Sequence, residues 1–111
     1  MRGGLLTIAL LLALGAAPRA EEPRGLFEIR YDLLLADYCA LLDAGVVAGY
    51  RAEALAAIAR DGLDQAAQSA ILSRAEIAFE REWGNRGLGG SRPWCRNEGT
   101  VSAARLAAKA P

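Results

Sequence analysis

The chemistry available to this chain is narrow. Its 111 residues contain no histidine, two cysteines (Cys39 and Cys95) and one lysine, Lys109, two residues from the C-terminus. Ser69, Ser73, Ser91, Thr100 and Ser102 therefore have no imidazole to act as their base, which removes the usual route to an activated hydroxyl. Carboxylate pairs remain. Glu28 and Asp32 stand one helical turn apart, as do Glu76 and Glu80, and Asp61 and Asp64 flank a glycine. Such pairs suit hard cations such as Ca²⁺ or a lanthanide, which take six or more oxygen ligands. One pair supplies too few ligands, and no twelve-residue Ca²⁺ loop is present. Acid/base work by two carboxylates needs a cleft, for which a domain of this size has little room. We therefore expect a non-enzymatic protein without a cofactor, with a cation held by Glu28, Asp32, Glu76 and Glu80 as the alternative reading.

The densest stretch runs from Glu82 to Cys95, E-W-G-N-R-G-L-G-G-S-R-P-W-C. It holds both tryptophans, Trp83 and Trp94, with Arg86 and Arg92 among the glycines. Free backbone N–H groups beside arginines suit an anion. The Gly-Lys-Ser/Thr ending of a phosphate loop is missing, and helix rather than strand precedes it. The alternative is structural: glycines for tight turns, and arginines paired with Glu80, Glu82 or Glu98. Aromatic surface is the third possibility. Tyr31, Tyr38, Tyr50, Trp83 and Trp94 exceed what a thin core hides, and an uncovered aromatic patch marks a partner site. The binding surface expected here comprises Trp83, Arg86, Arg92 and Trp94, with a protein as partner.

The elements that must position these residues are helical. Met1-Arg2, an apolar run from Leu5 to Leu14 and the small residues up to Ala20 form the pattern of a secretory signal peptide over residues 1–20, with cleavage after Ala20 or Ala17. The run is too short for a finished membrane span, so no stable span is expected after cleavage. Removal of residues 1–20 leaves 11 basic and 13 acidic residues, a net charge of −2 that does not suit nucleic acid. Residues 21–25 form a frayed lead-in, and residues 26–111 a single all-α domain. A first helix is expected over Leu26–Asp43, with Gly45 as its stop. One apolar arc carries Phe27, Tyr31, Leu34, Leu35, Tyr38, Leu41 and Leu42, and another Leu26, Ile29, Leu33 and Ala40. A stripe of Glu28, Asp32, Ala36, Cys39 and Asp43 lies between them. Apolar arcs on two sides mark a central helix.

Val46–Tyr50 reads as a connector, followed by a helix over Arg51–Arg60 ended by Asp61-Gly62. Asp64 caps a third helix over Gln65–Trp83 that Gly84 ends. A short, alanine-rich helix over Val101–Lys109 closes the chain. Three main helices and a short fourth make a small bundle. Export permits a Cys39–Cys95 disulfide, closing a loop of about 57 residues and contributing roughly 4 kcal/mol on the chain-entropy account. Free thiols or an intermolecular bridge are the other possibilities.

The run E-W-x-N-R-G-L-G-G-x-R-x-W-C, with an earlier cysteine in a helix, resembles small exported bacterial helical proteins of unassigned function. That resemblance implies fold and export, placing the protein in the periplasm or secreted, and carries no activity or site residue. In size, helicity and single disulfide the chain is also similar to periplasmic acid-stress chaperones, though it shares no motif with them.

Overall fold

The computed structural model describes residues 23–86 and 90–111. The expected signal peptide and the centre of the glycine run lie outside the described residues. Helices α1 (Leu26–Tyr38), α2 (Ala44–Asp61) and α3 (Gln65–Asn85) are followed by a short α4 (Ser91–Trp94), a π-helical turn (Cys95–Gly99) and α5 (Thr100–Ala107). The described residues contain no strand, and the all-α bundle of three main helices and a short C-terminal one is as expected.

α1 is the central element. One side carries α3, and α2 and α5 pack against each other on the other side. The core joins Leu26, Ile29 and Ala36 of α1 to Val46, Ala54 and Ala57 of α2 and Leu106 of α5. Leu33, Tyr50, Ile58, Ile71 and Leu72 pack around it. Many of these side chains are small, so the helices approach closely. The limit is at Gly49, where a Cβ would lie 1.6 Å from the Leu106 carbonyl oxygen. Only glycine permits that crossing of α2 and α5.

The boundary between α1 and α2 differs from the one expected. α1 ends at Tyr38, not at Asp43. Ala40 adopts φ 58°, in the left-handed region. The Ala40 N–H bonds the Asp37 carbonyl and the Leu41 N–H bonds the Ala36 carbonyl, the paired pattern of a Schellman stop. Asp43 is the N-cap of α2, its Oδ1 accepting from the Val46 N–H at 2.8 Å. The expected connector, Val46–Tyr50, is thus helix, and Gly45 lies in its first turn rather than stopping the helix before it.

The other caps follow expectation. Gly62 sits at φ 60°, ψ 41°, and its left-handed turn ends α2. Asp64 accepts from the Ala67 N–H at 2.8 Å and starts α3. α3 continues one residue past Gly84, to Asn85. Its only fully buried residue is Ala75, because it leans mainly on α1 and leaves most of its circumference uncovered. Arg30 ties the layers together, donating to the Tyr50 hydroxyl of α2 at 3.3 Å and to Glu76 of α3 at 3.2 Å.

Candidate functional site

The Cys39–Cys95 disulfide is formed, with the Cα atoms 5.3 Å apart. It fixes the end of α1 to the π-helical turn. A disulfide of this kind suits an oxidising, extracytoplasmic compartment. Packing at the bond is tight: a Cβ at Gly99 would lie 2.7 Å from Cys39 Sγ.

The bond brings the C-terminal segment back beside the aromatic ends of α1 and α3. Tyr38 lies 5.8 Å from Phe79, 6.3 Å from Trp83 and 5.8 Å from Trp94, ring centroid to centroid. Phe79 and Trp94 stack at 5.8 Å with 20° between their planes, and Tyr31 meets Phe79 edge-on at 6.1 Å. Edge-to-face and stacked pairs at these separations each add about 0.5–1.5 kcal/mol beyond their burial. The polar tips of Trp94 and Tyr38 are satisfied. Trp94 Nε1 donates to Glu98 at 2.7 Å, and the hydroxyls of Tyr38 and Ser91 share a hydrogen bond at 2.8 Å. Arg86 lies over the Trp94 ring at 4.6 Å and donates to Glu82 at 2.6 Å. Burial first, then the Glu82 and Glu98 charges, push the Tyr31 hydroxyl above its usual range.

The four expected binding residues therefore divide. Trp94 is 2 % exposed and forms the floor of the cluster. It cannot itself meet a partner, because the disulfide two-point closure drives it under Tyr38 and Phe79. Trp83 is 51 % exposed and Tyr38 39 %, and these two form the open edge. Arg86 braces Trp94 from above. Arg92 faces elsewhere, lining a hollow above the disulfide with Arg96. Sequence reasoning named both tryptophans but not Tyr38 and Phe79 as the rings that hold them together, although Tyr38 lies on an apolar arc it identified.

The expected cation residues do not gather. Asp32 is 3 % exposed, and both its oxygens are engaged. Oδ1 accepts from Ser102 at 2.7 Å and from Arg105 Nη2 at 3.0 Å; Oδ2 accepts from Arg105 Nε at 3.0 Å and from Arg24. Arg24 also donates to Glu53 at 2.6 and 3.2 Å. Glu76 is taken by Arg30, and Glu80 is exposed. Among the described residues no group of three or more His, Cys, Asp or Glu side chains could hold a metal.

The Asp32 network is a structural centre that sequence reasoning missed. It joins the lead-in, α1, α2 and α5 through Arg24, Asp32, Glu53, Ser102 and Arg105. Burial alone would raise the Asp32 pKa, but the hydrogen bonds from Arg105, Arg24 and Ser102 outweigh it and hold the carboxyl below its usual 3.8. A sequence signal existed. Asp32 shares its stripe with Ala36 and Cys39, and a face that carries a disulfide cysteine must be covered by whatever the disulfide brings in.

No described helix is long and apolar enough to cross a membrane. Compared with protein-family models, curated proteins and solved structures, the chain matches none.

Proposed function

We propose that this is a small exported binding protein, periplasmic or secreted and without catalytic activity of its own, that engages a protein partner through the Tyr38–Trp83 edge. The observation that carries the reading is Trp83, half exposed at the end of a helix and set edge-on against Tyr38, which itself packs on Phe79 and the buried Trp94. Tryptophan on a rigid base is the residue type and setting from which interface hot spots are drawn. The partner would cover Trp83 and Tyr38, and Leu42, also exposed, lies four residues beyond Tyr38 in the chain. The aromatic floor is already ordered, so little conformational entropy is lost when it is covered.

The test is site-specific photocrosslinking in the native compartment, with a photoreactive phenylalanine at position 83 and, as a control, at position 55. Leu55 is also exposed but lies on α2, away from the cluster. A discrete adduct from position 83 and none from position 55 supports the reading. Equal labelling at both, or none at 83, opposes it.

A further inference from the structure

The disulfide is not sealed. Cys39 and Cys95 are each only partly buried, and together they line a surface hollow of about 360 Å³ with Leu41, Arg92, Arg96 and Thr100. Two of the six lining residues are arginines and none is acidic. Arg92 and Arg96 are four residues apart on one helical segment, and neither has an ion-pair partner among the described residues. Arg24, Arg30, Arg60, Arg86 and Arg105 meet carboxylates, while Arg51, Arg74 and Arg81 stand unpaired among the described residues like Arg92 and Arg96 but line no hollow at the disulfide. Like charges at this helical spacing oppose each other. Here both line the shallow hollow that reaches the sulfur–sulfur bond.

We propose that Cys39–Cys95 is a thiol-exchange site, opened through this hollow by an anionic low-molecular-weight thiol that Arg92 and Arg96 draw in. The incoming thiolate RS⁻ attacks one cysteine sulfur. The Cys39–Cys95 bond breaks, a mixed disulfide forms and the other cysteine leaves as a thiolate. A second RS⁻ then displaces the remaining cysteine and forms RSSR. Two thiols are oxidised by two electrons in all, and the two cysteine thiolates take up protons from water. The arginines have two effects: they concentrate the anion at the bond and stabilise the thiolate that leaves. Exchange would unfasten the π-helical turn from the end of α1, so the clamp becomes reversible. The inference does not depend on the proposed partner at Trp83.

The experiment uses the full oxidised chain at low ionic strength. Reduction by 2-mercaptoethanesulfonate (anionic) and by cysteamine (cationic) is trapped by alkylation and followed by mass. Each rate is divided by that for bis(2-hydroxyethyl) disulfide, a neutral reference that removes the intrinsic reactivity of each thiol. The formal net charge is zero for the whole chain and −2 without residues 1–20, neither of which favours an anion, so a preference for the anionic thiol reports the local field. The expected ratio favours the anionic thiol by about tenfold or more. It should collapse toward one at 1 M salt, where the screening length is about 3 Å, and invert in R92E/R96E. A ratio near one at low salt, or reduction only in denaturant, overturns the proposal. Circular dichroism checks the variant's fold, and the wild-type salt series decides the matter without it.

Discussion

At the scale of single residues, Asp32 is the side chain on which most of the polar architecture converges. Replacing it with asparagine leaves the partly buried Arg24 with Glu53 alone and the exposed Arg105 without a counter-charge; with solvent screening at Arg105, the loss is roughly 1–2 kcal/mol. The pH dependence has a definite sign. The folded-state pKa of Asp32 lies below its ordinary 3.8, so its stabilisation is fully present above the ordinary carboxylate range and is lost as pH falls toward the lowered value. Chemical denaturation of the wild type and D32N should therefore show a gap that is wide at pH 7 and narrows below about pH 4. A gap of the same size at pH 7 and pH 3 would contradict this role. Ala40 gives a prediction of the opposite sign. An alanine at φ 58° bears a left-handed cost of roughly 1–2 kcal/mol, and its side chain is exposed. After the entropic penalty of glycine, Ala40→Gly should stabilise by about 0.5–1 kcal/mol; a loss of stability would count against the left-handed stop.

At the scale of elements, capping chemistry was legible and helix continuity was less so. Asp64 and the Asp61-Gly62 pair mark their helix ends because a carboxylate accepting from a free N–H, and a glycine at positive φ, are local events. The α1–α2 boundary was hidden because its signals are inverted. The residue that stops α1 is an alanine, and glycines lie inside α2, at positions 45 and 49. Gly49 is there for close packing, which no local pattern announces. Gly49→Ala sets a Cβ against the backbone of Leu106, where no rotamer change relieves the overlap. The substitution should cost about 3 kcal/mol or more, read as a lower denaturant midpoint; a neutral result would mean that α2 and α5 do not cross at this point. The C-terminal segment was also only partly visible. Its helical character begins at Ser91, well before the expected Val101, because the tertiary clamp at Cys95 and the burial of Trp94 support turns that the glycine- and proline-containing sequence disfavours.

At the scale of the whole molecule, one disulfide and one polar network do the work of a larger core. Both fasten the C-terminal segment to the same stripe of α1, the disulfide at Cys39 and the ion pairs at Asp32. The opposite arc of α1 takes α3, and the seam between those two packings is where the aromatic rings collect. The sequence located the aromatic stretch and the cysteine pair, since residue type alone is informative there. It did not separate the buried tryptophan from the exposed one, because that depends on which ring the returning chain presses against Tyr38 and Phe79. In the proposed function the exposed ring, not the buried one, meets the partner. The direct measurement is the affinity of the crosslinked partner for wild-type protein and for Trp83→Ala, with near-ultraviolet circular dichroism confirming that the Trp94 cluster is intact. Binding should be at least tenfold weaker for the variant, a loss of about 1.4 kcal/mol or more. Unchanged affinity in a folded Trp83→Ala protein would contradict it.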